Sequence, residues 1–415
     1  MNKRDRMLNA RRITTALSVC LLSVTGLAWG DEAPANFGGP DSVANLVDID
    51  LSQPLDSWDS WKAGLSTEHG IDLGVDYSFL YLNADGALPD AEDDSGAGML
   101  RFYGSWALTG KESGNTGSFV WKFEHRHDYT DIAPSPLWAA TELGYIGLQG
   151  APFSDQGART TNFYWRQKVN GGRTTLLGGF VDTTDFLDLY GMVSPWLHFT
   201  NFALGTGSAT MDVANDATFG AAFGTMLGDK IYLVGSWVDA NSDPTAFWES
   251  AENFFSDQEY FTSLELGLTS DKNRIYLDNT HLTLWHKDRR EEAGKPSGWG
   301  ANFSYAKFVN DQWMPFIRAG YSEDGDSLLS RSVSAGLGYR LRDNKDLFGA
   351  GFNWGEPNEN QGAGDDAQSA VELFYRLQLG KRFKFTADLQ YIQDPVANPF
   401  ESSIWIVGAR GQFSL

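Results

Sequence analysis

The chain has 415 residues, with 54 acidic against 32 basic side chains and a formal net charge of −22 at pH 7; this negative balance excludes nucleic acid as a partner. Its 45 glycines and 14% aromatic content suit many strands joined by tight turns rather than helices. A single cysteine, Cys20, excludes a fold held by disulfides.

Residues 1–30 read as an export signal. Lys3, Arg4, Arg6, Arg11 and Arg12 precede an apolar run from Ile13 to Leu27, and Ala28 and Gly30 flank Trp29 at an A-x-G cleavage site. Val19 precedes Cys20 where a lipoprotein signal needs a small residue, so no lipid anchor is expected. Beyond the signal no run reaches about 18 apolar residues, so no transmembrane helix is expected. Residues 31–55 are polar, with scattered Pro and Gly, and read as a flexible lead-in. Leu55 to His69 predicts a short helix with Leu55, Trp58, Trp61 and Leu65 on one face and Gly70 as its stop. Such a helix can be a plug, a periplasmic brace or plain packing.

Period-two alternation then takes over, which means strands. Ile71, Leu73, Val75, Tyr77, Phe79 and Tyr81 alternate with Asp72, Asp76 and Ser78. Leu100, Phe102 and Trp106 alternate with Arg101, Tyr103 and Ser105, and Phe119, Trp121 and Phe123 with Lys122, Glu124 and Arg126. Further segments fall at 159–169, 173–182, 217–227, 230–239, 260–269, 274–286, 298–309, 312–321, 331–341 and 346–355. Three more lie in Ser369 to Leu415, where Val371, Leu373, Tyr375, Leu377 and Leu379 set the pattern. The segment 274–286 is the weakest, because neither face is cleanly apolar. Strands of about ten residues, apolar on one face and charged on the other, fit a bilayer-crossing wall; a water-soluble sandwich shares the alternation but not its number of repeats. The fold class expected is all-β, a transmembrane antiparallel β-barrel of about 16 strands over residues 71–415, preceded by a periplasmic segment 31–70. Parity supports the count: seven short links alternate with seven long ones, provided Leu137 to Gln149 is loop rather than strand.

Several stretches resemble the carbohydrate-selective outer-membrane porins. They are Leu65–Ser66–Thr67–Glu68–His69–Gly70–Ile71, then Gly179–Phe180–Val181–Asp182–Thr183–Thr184–Asp185–Phe186. The most specific is the ending, Glu372 followed by Asp388–Leu389–Gln390–Tyr391–Ile392–Gln393–Asp394–Pro395 and Asn398–Pro399. The resemblance implies a sixteen-stranded barrel that passes sugars by facilitated diffusion, with its third outside loop folded inward as the constriction. One departure is the terminus, where such barrels carry Phe and this chain has Phe413, Ser414 and Leu415.

The loop 183–216 points the same way without the family. About thirty irregular residues are uncommon unless functional or disordered. This loop holds Phe186, Leu189, Tyr190, Trp196, Leu197, Phe199 and Phe202, so it must pack against the barrel's inner wall or a subunit contact. A sugar site needs an aromatic plane for C–H faces and charged partners for hydroxyls. Arg101 and Glu124 on the lumen faces of strands two and three supply a donor and an acceptor, and Trp196 is the candidate platform. The resemblance implies the same three residue types at a sugar site. Lys122, Arg126 and Asp128 extend the ladder, with a plain lumen-wall ion pair as the competing reading for each.

Other classes fare worse. His125 and His127 share the outward parity of strand three, with no G-x-S-x-G or zinc motif beside them. An enzyme is therefore not expected, nor is any cofactor or catalytic metal. A blocked, adhesive barrel would need fewer inward charges. The partners expected are sugars, outer-membrane lipid and the barrel assembly machinery, with a homotrimer as the usual state for this size of porin. The acidic balance keeps a general or cation-preferring porin open as the alternative.

Overall fold

The structure, a computed structural model, describes residues 56–415 apart from 112, 343–345, 365 and 381. The expected export signal (1–30) and lead-in (31–55) lie outside the described residues.

Sixteen antiparallel strands form one closed barrel. They begin with β1 (Ile71–Ala84), β2 (Asp94–Thr109), β3 (Gly117–Asp128), β4 (Gly157–Val169) and β5 (Thr174–Val181). β6 (Thr218–Met226), β7 (Ile231–Asp239), β8 (Tyr260–Thr269), β9 (Asp278–Lys287) and β10 (Gly298–Lys307) follow. β11 (Trp313–Asp324), β12 (Leu329–Leu341), β13 (Asp346–Pro357), β14 (Gln368–Gln378), β15 (Phe383–Gln393) and β16 (Ser403–Ser414) complete the wall. Each strand pairs with its chain neighbours, and β1 closes on β16 with Asp76 opposite Ser414 and Ala84 opposite Ile406. Closure removes both edges, the aggregation hazard of an open sheet.

The alternation sorts side chains as the sequence requires. On β2, Leu100, Phe102 and Trp106 are 46%, 42% and 44% exposed, while Arg101 between them is 1% exposed. The outer face is thus an apolar belt of the kind lipid covers, and the polar face encloses the lumen. The segment expected at 274–286 starts later. Residues Lys272–Arg274 form a 3₁₀ turn capped by Asp271, and β9 begins at Asp278. Asp278 holds that turn by accepting from Ser270 Oγ at 2.7 Å and Arg274 Nε at 2.8 Å. Ile275, Tyr276 and Leu277 are buried, which is why neither face read as clean.

Ahead of the barrel, α1 (Asp56–Gly64) runs into a wide turn, Leu65–His69. Gly70 stops it at φ 72°, a left-handed conformation that favours glycine. Arg382 in the last short turn reaches Asp59 at 2.8 Å, and Lys111 Nζ donates to the His69 carbonyl at 3.0 Å. The helix is therefore tied to the short-turn end of the barrel.

At the other end two of the long connections fold onto the polar face. Loop 2 (129–156) contains no strand; Gln149 makes a single bridge to Asn201 of loop 3 (182–217). Trp138, Leu143, Tyr145 and Phe153 of loop 2 are buried with Leu80, Leu82, Ile392, Ile404 and Ile406 from the inner faces of β1, β15 and β16. Loop 3 sets Phe186, Leu189, Tyr190 and Phe199 against inner-face Tyr232, Val234, Met314, Phe316 and Phe374. Each such large apolar side chain contributes roughly 1.5–3 kcal/mol when fully buried, so these loops are packed structure. Close approach needs small residues on the wall: a Cβ at Gly320 would overlap the Thr210 hydroxyl and the Asn302 amide.

Candidate functional site

Polar bonds fix loop 3 where its apolar packing alone would leave it free to slide. Glu372 on β14 accepts from the Thr200 N–H at 2.6 Å and the Asn201 N–H at 2.9 Å. Arg410 on β16 donates to the Pro195 and His198 carbonyls, both at 2.5 Å. Asp188 of the loop bonds Arg318 on β11 and, at 2.8 Å, His281 Nε2 on β9. Burial works to raise the Asp188 carboxyl, but Arg318 and His281 hold it below the usual carboxylate range. Asn302 on β10 donates to the Gly207 carbonyl at 2.7 Å.

What the loops leave open is a cavity of about 700 Å³ toward the long-loop end. One wall is a charge ladder on β3 and β4. Glu124 accepts from Arg126 at 2.5 and 2.8 Å, and Arg126 and Arg159 both reach Asp216 of loop 3, at 3.1 and 2.5 Å. Burial works to raise Asp216, yet Arg126 and Arg159 hold its carboxyl below the usual range. The facing wall has Lys287 on Asp212 at 2.7 Å, and Arg290 on Asp326 at 3.3 Å. Trp196, Phe199 and Phe202 supply the apolar lining.

A second, smaller cavity of about 280 Å³ lies between the inner faces of β1 to β4, with Asp72, Tyr103 and Arg166 in its wall. Lys122 lines both cavities. Its Nζ lies 2.9 Å from Asp185, which lines the small cavity, and 3.8 Å from Asp182, which lines the large one. Asn162 on β4 donates to Asp185 at 2.7 Å. This cluster is the septum between the two spaces. Burial, with Asp185 and Asp216 nearby, pushes the Asp182 carboxyl up to about 8.

Of the six residues expected at the site, Glu124, Arg126, Lys122 and Trp196 line the large cavity. Arg101 does not. Its Nε and Nη2 grip Asp76 at 2.8 and 2.6 Å, and its guanidinium sits 4.5 Å from the centre of the Trp196 ring. It lies against the tryptophan ring rather than in the lining of the large cavity. Asp128 is also displaced: it is exposed at the long-loop end of β3, opposite Ala97, outside the cavity lining. Sequence reasoning missed Arg159, Lys287, Asp212 and Asp216. Inward parity near the end of β9 was a signal for Lys287; Arg159 shares the parity of outward Phe163 and Trp165 and turns inward only through the bulge at Thr161, and nothing local marks the two loop acids. His125 and His127 face outward, and His127 Nε2 lies 3.0 Å from the Tyr77 hydroxyl. Among the described residues no group of three or more His, Cys, Asp or Glu side chains is placed to hold a metal.

Comparison with known proteins places this geometry. No curated protein matches the sequence. Residues 268–415 match the model of the carbohydrate-selective porin, OprB family, and that stretch includes the Asp388–Pro395 run. The high-pH structure of Pseudomonas putida OprB is similar with a TM-score of 0.67 at 13% identity, covering 86% of this chain and 97% of that one. Its low-pH structure gives 0.53 at 11% identity, covering 89% and 100%. A variant of Rh. blastica porin gives 0.51 at 13% identity, covering 83% and 100%. By sequence over residues 268–415, and by fold over most of its length, this chain is similar to the carbohydrate-selective porins of the OprB family.

Proposed function

We propose that the protein is an outer-membrane channel through which small carbohydrates diffuse, rather than an enzyme. One observation carries the reading. In a chain of net charge −22, the large cavity is lined by five bases (Lys122, Arg126, Arg159, Lys287 and Arg290) and five acids (Glu124, Asp182, Asp212, Asp216 and Asp326). A wall of one sign gathers counter-ions, whereas an interleaved wall offers donors and acceptors to hydroxyls without a strong pull on either ion. Trp196, steadied by Arg101, adds the flat apolar surface a sugar ring stacks on. Loop 3 acts as the constriction, with the Lys122 septum as its narrowest part. Long loops lie outside the cell and short turns in the periplasm. Export through the 1–30 signal, insertion by the barrel assembly machinery and a homotrimeric state belong to the same proposal.

Binding must stay weak, because a site that passes solute has to release it as readily as it fills. Added mono- and oligosaccharides should block ion current in planar bilayers. Arg126→Ala and Trp196→Ala should each weaken that block by about tenfold, the equivalent of ~1.4 kcal/mol. Conducting channels that no sugar blocks would overturn the carbohydrate reading in favour of a general or cation-preferring porin.

A further inference from the structure

The connection between β7 and β8, loop 4 (240–259), behaves unlike loops 2 and 3. It contains α2 (Trp248–Ser256), and this helix packs on the outside of the barrel. Its inner stripe is Phe247, Ser250 and Phe254. Phe247 lies 4.9 Å from the ring of Phe180, and Phe254 lies 5.5 Å from Phe219 and 4.8 Å from Trp237. All three wall rings have outward parity: Phe180 pairs with Phe163 and with Phe219, and Trp237 is 48% exposed. The helix is pinned there by polar bonds. The Phe219 N–H donates to Ser250 Oγ at 2.9 Å, and Ser250 Oγ donates to Asp239 Oδ2 at 2.7 Å. Asp239 ends β7 with outward parity yet is fully buried, because the helix covers it.

A helix turns 100° per residue, so Trp248 and Phe255 fall on one line beside the wall-facing stripe, each touching one wall ring: Trp248 lies 5.1 Å from Phe180 and Phe255 5.9 Å from Phe219. They are 62% and 68% exposed. Glu249 and Ser256 fall on a different line, about 100° round from the tryptophan, and both are exposed. The helix therefore has three sides: one on the wall, one aromatic and largely bare, and one charged, whose exposed Glu252 falls about 40° from Trp248 and borders the aromatic line. The bare side continues the lipid-facing belt. Trp248 lies 6.1 Å from Phe163, which in turn lies 4.6 Å from Phe119 and 6.3 Å from the exposed Phe123.

We infer that α2 is an interfacial anchor, inserting Trp248 and Phe255 among the acyl chains at the boundary of the outer leaflet while Glu249 and Ser256 face water. The occupant of the aromatic stripe is lipid, because the stripe is continuous with a surface that lipid already covers. Amphipathic helices lie in that boundary with their apolar side sunk about 5–10 Å, and tryptophan prefers it. This rests on the reading of the barrel as membrane-spanning. It gives loop 4 a role that the sugar path does not use.

Spin labels on Trp248→Cys, Glu249→Cys, Phe255→Cys and Ser256→Cys test it, in full-length mature barrel reconstituted into dioleoylphosphatidylcholine vesicles. Leu282→Cys on the outward face of β9, where Leu282 is 47% exposed, serves as the wall reference. Oxygen partitions into acyl chains and a nickel chelate into water. The oxygen-to-nickel collision ratio should be at least several-fold higher at 248, 255 and 282 than at 249 and 256. A high ratio at 282 with low ratios at 248 and 255 overturns the anchor and leaves the barrel standing. Exclusion of both reagents at 248 and 255, with spin–spin broadening between labels, overturns it in favour of a second copy of the chain. A low ratio at 282 itself would remove the membrane reading beneath it.

Discussion

Asp182 follows directly on β5, caps the 3₁₀ turn Thr183–Asp185 and shares Lys122 with Asp185. An ordinary Asp titrates near ~3.9, but burial beside Asp185 and Asp216 moves this one to about 8. At pH 7 it is therefore protonated, and the septum holds one ammonium against the Asp185 carboxylate. Above about pH 8 Asp182 ionises and the septum gains a negative charge. Cation preference, read as reversal potential across a KCl gradient, should rise between pH 7 and 9, and Asp182→Asn should flatten that rise. The stability sign follows from the same shift. The folded state keeps a proton that the unfolded chain releases above ~3.9, so this group's contribution falls as pH climbs from about 4 to about 8 and is level beyond. A reversal potential with the same pH slope in Asp182→Asn would place the titrating group elsewhere.

Loop 3 shows how an irregular element is held as firmly as a regular one. Its backbone N–H groups at Thr200 and Asn201 end on Glu372, and its Asp188 ends on Arg318 and His281. Each such hydrogen bond contributes roughly 1 kcal/mol net, and roughly 1.5–3 kcal/mol where a partner is charged, as between Asp188 and Arg318. Breaking one set should loosen part of the loop while the aromatic packing of Phe199 and Tyr190 retains the rest. Glu372→Ala should therefore raise single-channel conductance and open-channel noise without dissolving the barrel; an unchanged conductance would mean that this stretch of loop does not narrow the path. The sequence announced this loop through its length and aromatic content, and the strands through period two. It did not announce loop 2, because Trp138, Tyr145 and Phe153 are spaced as ordinary loop residues. The trace lay on the other partner, in the inward apolar positions Leu80, Leu82, Ile392, Ile404 and Ile406. Arg101 was read correctly as inward but not as a prop for Trp196, since the stacking depends on where a loop 95 residues further on comes down.

Across the whole molecule the charge is distributed by side. Lys and Arg occur in only one of the long-end connections, 288–297, while loop 4 alone holds Asp243, Glu249, Glu252, Asp257 and Glu259. The short turns instead carry Lys111, Arg173, Lys230, Lys272, Arg274, Arg342 and Arg382. The acidic excess thus sits at the proposed external mouth, and the nearly balanced cavity lies below it. An acidic mouth concentrates cations ahead of the constriction, but only over the screening length, about 10 Å at 0.1 M salt and about 3 Å at 1 M. Cation preference should therefore be pronounced in 0.1 M KCl and fall steeply by 1 M. Sugar block, which depends on short hydrogen bonds and stacking inside the cavity, should change little over the same range. Neutralising the mouth with Glu291→Gln and Glu292→Gln together, two exposed acids between the cavity-lining Arg290 and Ala293, should lower the low-salt selectivity and leave the 1 M value and the sugar block where they were. If selectivity instead holds at 1 M, the charges that set it are within a few ångströms of the ion's path, and the Lys122 septum rather than the mouth decides what passes.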